Sequence, residues 1–205
     1  MPDKIIYTVG YSGFSIENFV AILKKYEISC LIDVRSIPKS NYYVDYNIER
    51  ISKIMNQNKI IYRNYKKEFG AQQTEIKYFT DNVLDFVKFA KSPQFLNGIQ
   101  KIESGTDLGY KFVLMCAEKR PEICHRNIMV ARQFYKRGFE VRNILEDGSY
   151  VKQDEVEKNL LEKYFPNRNQ LSLFEMQNEK EMIEESYRRR NIEIGYHTDD
   201  EGFDE

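Results

Sequence analysis

Short apolar runs alternate with amphipathic stretches along most of the chain. Five of these runs have the length and composition of buried strands, and they cover residues 4–10, 29–35, 60–65, 111–117 and 139–145. Apolar positions at helical spacing predict helices over residues 15–26, 46–56, 76–90, 93–104, 125–137 and 154–164. The alternation predicts an α/β fold, with a mostly parallel sheet of about five strands and helices on both faces.

A helix-breaking stretch at residues 166–169 divides the chain into an α/β domain, residues 1–165, and a C-terminal extension, residues 166–205. The formal net charge is -1, from 31 basic and 32 acidic residues. Residues 175–205 hold eleven of the acids and four of the bases, which leaves 27 bases and 21 acids in residues 1–174. This asymmetry predicts a basic body that can meet an anionic ligand and an acidic, disordered tail.

The composition also indicates the compartment of the protein. No apolar run approaches the roughly 20 residues of a membrane span, so we expect no membrane partner. The first residues lack the apolar core of a signal peptide, and three cysteines do not make a disulfide framework. We therefore expect a cytoplasmic protein with reduced thiols.

Unusual residues follow the predicted strands, at the edge where parallel sheets bind ligands. Tyr11 and Ser12 lie in a glycine-containing turn after the first strand, whose amides can hold an anion, although the glycines can equally serve close packing. Asp33 and Arg35 lie two apart on the second strand and therefore share a face. Asp33 is a candidate base, metal ligand or orienter of Arg35, and Arg35 is a candidate anion ligand. The alternative is a structural ion pair.

Residues 116–126 concentrate the most chemistry in the chain. The segment contains Cys116, Glu118, Arg120, Cys124, His125 and Arg126. Nearby positive charge can activate a thiol nucleophile or bind an anion. Alternatively, Cys116, Cys124 and His125 ligate a metal ion, although a fourth ligand is missing unless Glu118 or water supplies it. A third alternative is purely structural, with Cys116 as a small buried residue at the strand end and with His125 and Arg126 capping the next helix.

We assign catalytic roles to Asp33, Cys116, Glu118 and His125. The ligand-binding or anion-binding residues are Tyr11, Ser12, Arg35, Arg120 and Arg126. We assign no metal ligand, and the sequence identifies no cofactor. Tyrosines beside basic residues, among them Tyr42, Tyr43, Tyr62 and Tyr65, can stack on bases, although tyrosines on helix faces are more often core residues.

Several of these motifs occur in the order found in a known family. They are residues 8–12 (TVGYS), 31–38 (LIDVRSIP), 62–70, 114–118 (LMCAE) and 121–126 (PEICHR). Residues 4–148 resemble the domain-of-unknown-function 488 family. The resemblance implies a cytosolic, Rossmann-like α/β domain and no assigned reaction. Tyr11 stands where many members have histidine, which argues against a catalytic base at this position.

A second resemblance concerns the extension. Gln170, Leu171, Ser172, Leu173 and Phe174 form a pentapeptide similar to the one by which bacterial replication and repair proteins bind the DNA polymerase sliding clamp. Binding of this kind needs an exposed, extended segment with a hydrogen-bonding glutamine and an apolar Leu-Phe pair. The competing interpretation is that the apolar residues pack back onto the domain.

Two functional hypotheses follow. The first is an enzyme of DNA maintenance that acts on a nucleotide or nucleic acid, with hydrolysis as the reaction, at a pocket formed by the carboxyl ends of the strands. The second is a non-catalytic adaptor that binds a nucleotide, a nucleic acid or a metal ion and is recruited to the sliding clamp.

Overall fold

The computed structural model describes residues 4–168 and 178–198. Its strands are β1 (Ile5–Gly10), β2 (Cys30–Asp33), β3 (Ile61–Asn64), β4 (Phe79–Thr80), β5 (Val83–Leu84), β6 (Phe112–Cys116), β7 (Glu140–Ile144) and β8 (Tyr150–Lys152). Within the described residues, one six-stranded sheet has the order β3-β2-β6-β1-β7-β8, and β4 pairs with β5 in a separate hairpin. The first five strands of the sheet are parallel, and β8 is antiparallel to β7. The expected mostly parallel sheet is confirmed.

Helices cover both faces of the sheet. They are α1 (Ile16–Lys25), α2 (Ile48–Gln57), α3 (Lys66–Phe69), α4 (Phe86–Phe89), α5 (Pro93–Asp107), α6 (Arg132–Lys136), α7 (Gln153–Tyr164) and α8 (Glu179–Ile194), with a π-helical segment over Arg126–Ala131. Side chains alternate along each strand, so Leu31 packs in the layer of α1 and α2 and Ile32 packs in the layer of α5. None of the described helices combines the length and the apolarity needed to cross a membrane.

The strand order differs from the 3-2-1-4-5-6 order of a dinucleotide-binding fold, because β6 lies between β1 and β2. The Rossmann-like expectation is therefore not confirmed. This insertion determines where the site forms. Gly10 of β1 lies beside Cys116 of β6, and Asp33 of β2 lies beside Met115. The carboxyl ends of three strands from distant parts of the sequence thus meet at one edge.

The single helix predicted over residues 76–90 is wrong. The segment forms a short 3₁₀ turn (Ile76–Tyr78), the β4–β5 hairpin and α4. Asp81 and Asn82 have φ values of 49° and 64°, which suit a two-residue hairpin turn and end the helical pattern. Asp85 then begins α4, because its side chain accepts hydrogen bonds from the amides of Val87 and Lys88.

The acidic tail is not disordered throughout, since residues 179–194 form α8. Met182 and Tyr187 are buried against the domain. The Tyr187 hydroxyl accepts a hydrogen bond of 2.8 Å from Gln153 of α7 and donates one of 3.2 Å to Glu157. Asn178 caps the amino end of the helix. The pentapeptide at residues 170–174 and the last seven residues lie outside the described residues, and the domain boundary at residue 165 stays a prediction.

Candidate functional site

The backbone at the carboxyl edge of β1 and β6 continues the pairing of the two strands. The Tyr11 amide donates to the Cys116 carbonyl, and the Ser12 amide donates to the Ala117 carbonyl, each at 3.0 Å. Gly10 permits this contact, because a Cβ there would lie 1.7 Å from the Glu118 carbonyl oxygen. Both amides are therefore committed to the neighbouring loop, and the turn holds the β6 loop in place.

Asp33 and Arg35 form a buried ion pair at the end of β2. The Asp33 carboxylate accepts hydrogen bonds from Arg35 Nε at 2.9 Å, from Arg35 Nη2 at 2.6 Å and from the Tyr62 hydroxyl at 2.7 Å. The Arg35 amide adds a fourth bond at 3.1 Å. Because a carboxylate has about four acceptor positions, these contacts make Asp33 an orienter of Arg35.

Arg35 and two tyrosines extend this network towards β1. Arg35 Nη1 donates to the Tyr11 hydroxyl at 3.2 Å, and Arg35 Nη2 donates to the Tyr46 carbonyl at 2.8 Å. The Tyr11 ring stacks on Tyr46 with centroids 4.2 Å apart. Burial raises the pKa of Tyr11, and Arg35 opposes this rise. The hydroxyl is therefore a neutral donor or acceptor at physiological pH, which is consistent with a positioning role.

The other half of the edge holds a cluster of Cys116, Glu118, Cys124 and His125. Cys124 Sγ donates to Glu118 Oε2 at 2.9 Å, and Cys116 Sγ lies 3.9 Å from His125 Nδ1. His125 Nε2 lies 3.0 Å from the Val34 carbonyl. A carbonyl only accepts, so Nε2 carries the proton and Nδ1 faces the two thiols. The thiol atoms and the imidazole nitrogen all lie within 4.8 Å of one another.

Burial and mutual contact shift the pKa values in this cluster. Burial, with the neighbouring Cys124 and Glu118, raises the pKa of the Cys116 thiol. Burial also opposes ionisation of Cys124, but contacts with Cys116, Arg126 and His125 outweigh it and lower the pKa of Cys124. Burial acts to lower the pKa of His125, whereas Cys124 and Glu118 raise it overall. Burial is the main cause that raises the pKa of Glu118. Because these groups lie in mutual contact, they titrate as one coupled cluster and not as independent residues.

Two further arginines of the segment lie in different environments. Arg126 is fully buried and donates to the carbonyls of Glu118 and Lys119, so it anchors the loop that carries the cluster. Arg126 also begins the π-helical segment, and single π turns often occur at functional sites. Arg120 is exposed and lies 3.5 Å from Glu122.

An exposed aromatic loop follows β2 at the same edge. Tyr42 is 93% exposed, and Tyr43 lies edge-on to Tyr11 with centroids 5.5 Å apart. Ile37 and Val44 of the same loop are also exposed. Exposed bases occur in this loop and in the segments that follow β3 and β6, namely Lys39, Lys66, Lys67, Lys119 and Arg120. The edge therefore combines aromatic rings with positive charge.

The structure brings most of the predicted site residues together, but in two groups. Asp33 shares the sheet face of Leu31, whereas Cys116 packs in the opposite layer. Tyr11 joins the groups, since its hydroxyl meets Arg35 and its amide meets the Cys116 carbonyl. The sequence assignment omitted Tyr46 and the Val34 carbonyl, which act through backbone atoms or stacking and leave no motif. It considered Cys124 only as a ligand in the alternative metal interpretation and gave it no role in the assigned site.

A separate cavity of about 370 Å³ lies between the β4–β5 hairpin and α8. Its walls are mainly apolar, with Phe86, Ile128 and Ile192 among them, and Arg132 and Glu184 supply charge. None of the predicted site residues lines this cavity.

The comparisons with known proteins support the family resemblance and give no match for the pentapeptide at residues 170–174. No curated protein and no solved structure matches this chain. The family described as Domain of unknown function DUF488 matches residues 15–132, which is more than half of the chain. The matched span includes the Asp33–Arg35 pair and the whole Cys–Glu–Cys–His cluster. The chain therefore belongs to the DUF488 family.

Proposed function

We propose that this protein binds a nucleotide or a nucleic acid at the carboxyl edge of the sheet and hydrolyses a bond in it. One observation carries the proposal. The exposed aromatic loop meets Tyr11 through Tyr43, whose ring lies edge-on to it, and Tyr11 contacts both the Arg35 pair and the strand that bears Cys116. Aromatic rings stack on any base, and basic side chains around them hold phosphates. An aromatic and basic rim beside a buried cluster of reactive side chains therefore suits a nucleotide or a nucleic acid.

The charge distribution supports an anionic ligand. Residues 1–174 hold six more bases than acids, and exposed bases occur in the segments that follow β2, β3 and β6. Lys119 is paired with Glu146 at 3.0 Å. Arg120 lies 3.5 Å from Glu122, and its side chain is 72% exposed. We assign phosphate contact to Arg120 and to Lys66 of α3. Arg35 and Arg126 position the loops, because their guanidinium groups are already bonded inside the protein.

The reacting bond is proposed to meet Glu118 and His125. Glu118 is half-buried, its carboxylate accepts from Cys124, and His125 is held by the Val34 carbonyl. A carboxylate and an imidazole at such an edge can move protons to and from an attacking water and a leaving group. Asp33, Arg35 and Tyr11 act as positioning residues, since all three are buried and bonded to one another.

Replacing Tyr42 by alanine is expected to weaken binding of a single-stranded oligonucleotide about tenfold, because stacking on one ring contributes roughly 1–3 kcal/mol per base. Folding should be unaffected, since the side chain is 93% exposed. Fluorescence anisotropy with labelled single-stranded DNA, single-stranded RNA and a nucleoside monophosphate measures the effect.

Tyr110→Ala is the matched control. Tyr110 is 41% exposed and precedes β6, so it lies at the opposite edge of the sheet. Equal loss of affinity in both variants would contradict a site at the carboxyl edge. Chromatography of the incubated ligand shows whether a product forms. Binding without a product would favour the adaptor hypothesis over the enzyme.

A role in DNA maintenance rests on residues 170–174 and is proposed separately. The full chain is expected to bind a bacterial sliding clamp with micromolar affinity through Leu173 and Phe174, which would enter an apolar pocket. Surface plasmon resonance should lose this binding when both residues are changed to alanine. Leu108→Ala, which changes an apolar side chain 79% exposed in the α/β domain, is the control. Failure of the unmodified chain to bind would end this proposal and leave the edge site untouched.

A further inference from the structure

The arrangement of Cys116, Cys124 and His125 resembles a ligand set more closely than an assembly of independent polar groups. Their ligand atoms all lie within 4.8 Å of one another, and all three residues are buried. Zinc bond lengths of about 2.0–2.3 Å put tetrahedral ligands about 3.3–3.8 Å apart. The distance of 3.9 Å from Cys116 Sγ to His125 Nδ1 is already close to this spacing.

The contact on the far side of the imidazole is the second observation. His125 Nε2 donates to the Val34 carbonyl at 3.0 Å, which leaves the lone pair of Nδ1 directed at the thiols. Histidines that ligate metals nearly always donate their other ring N–H to a carbonyl or carboxylate in this way. The strand end after β2 therefore selects the tautomer that a cation needs.

The charge around the cluster also fits a divalent cation. Two thiolates and the Glu118 carboxylate would carry three negative charges, and a bound divalent cation would reduce the net charge to -1. Arg126 is fully buried against the same loop and donates to the Glu118 and Lys119 carbonyls. Its positive charge would offset the remaining one, so the buried site would be close to neutral.

We propose that Cys116, Cys124 and His125 bind one zinc-class divalent cation, with Glu118 beside the fourth position and not bound to the ion. Thiolate and imidazole ligands favour zinc over magnesium or calcium. Glu118 Oε2 lies 2.9 Å from Cys124 Sγ, which is a hydrogen-bond distance and shorter than the spacing between two ligands of one ion. Three protein ligands leave a position for water or substrate, as in catalytic zinc sites.

This inference goes beyond the proposed function and changes it at one residue. With Nδ1 on the cation and Nε2 on the Val34 carbonyl, His125 would hold the metal, and proton transfer would fall to Glu118. Metal content is measured without any substrate. The full chain is produced in zinc-supplemented medium and dialysed against metal-free buffer, and zinc is measured by mass spectrometry. We expect about one zinc per chain. Cobalt(II) added to the metal-free protein should give the thiolate charge-transfer band and visible bands of a tetrahedral site.

Cys124→Ala and His125→Ala should each lower zinc below about 0.2 per chain. Cys30→Ala is the matched control and should keep the metal, because Cys30 is an equally buried thiol on β2 outside the cluster. Glu118→Gln should also keep it. Loss of zinc in Glu118→Gln would show that Glu118 is itself a ligand and would contradict an open fourth position.

The metal site itself can be rejected independently of how the variants fold. A metal-free wild-type chain that gives no cobalt spectrum would overturn it. So would zinc retained in both Cys124→Ala and His125→Ala, or lost to the same extent in Cys30→Ala. A bound cation should also protect the cluster thiols, so a chelator should raise the number of cysteines in the wild type that react with a thiol reagent. No change on adding chelator would count against the site.

Discussion

Asp33→Asn is expected to lower the free energy of unfolding by about 3–5 kcal/mol, because it leaves the Arg35 charge buried without its counter-ion. Both side chains are almost completely buried, and four hydrogen bonds end on the carboxylate. An amide in the same place carries no charge and turns one acceptor into a donor that faces Arg35 or Tyr62. Urea unfolding at fixed pH, followed by far-UV circular dichroism, measures the loss.

Asp45→Asn is the control, since Asp45 pairs with Arg50 at 3.0 Å with both side chains more than half exposed. Such surface pairs contribute about 0–1 kcal/mol. We also expect the double variant Asp33→Asn/Arg35→Leu to lose less than the sum of the two single variants, because the second change removes the unpaired charge. Equal stability of Asp33→Asn and Asp45→Asn would contradict the buried ion pair.

Tyr187→Ala is expected to destabilise the protein by about 3–5 kcal/mol, which is the usual effect of removing a fully buried aromatic ring. Tyr187 is 1% exposed, and the Arg132 guanidinium lies 3.5 Å from its ring centroid. The residue belongs to a segment whose composition predicts disorder, so a large effect would show that α8 is part of the folded domain. The same urea titration applies.

Tyr187→Phe separates the ring from its hydroxyl and should lose only about 1–2 kcal/mol, chiefly from the unsatisfied Gln153 amide. Ile192→Ala changes a half-exposed residue of the same helix and should lose less. If Tyr187→Ala unfolds at the same urea concentration as the wild type, α8 does not dock in solution.

The local pattern of apolar residues was sufficient to predict the parallel strands of the sheet. Each of the five parallel strands overlaps a predicted strand. The strands β1, β2 and β6 are buried on both faces and are therefore mostly apolar, whereas β3 and β7 are partly exposed and mix polar with apolar residues. The hairpin at residues 79–84 was not predicted, because it contains no apolar run long enough to indicate a strand. Its strands have two residues each, and the positive φ values of Asp81 and Asn82 depend on tertiary contacts that periodicity does not report.

The helix α8 was missed because its stability comes from packing. Its composition is acidic, and few of its residues are apolar, yet Met182 and Tyr187 meet the domain at the positions where burial is available. Arg190, which belongs to a run of three arginines, is only 7% exposed. Composition averages over a segment, whereas docking depends on a few side chains on one face.

By itself, the sequence determined the chemical groups of the site and the strand ends that carry them, because residue type and apolar periodicity are local properties. Only the tertiary structure decided which groups meet. Placing β6 between β1 and β2 brings Cys116 next to Gly10 and Met115 next to Asp33, and it aligns His125 with the Val34 carbonyl. Strand order depends on how whole layers pack, and no single segment of this chain contains that information.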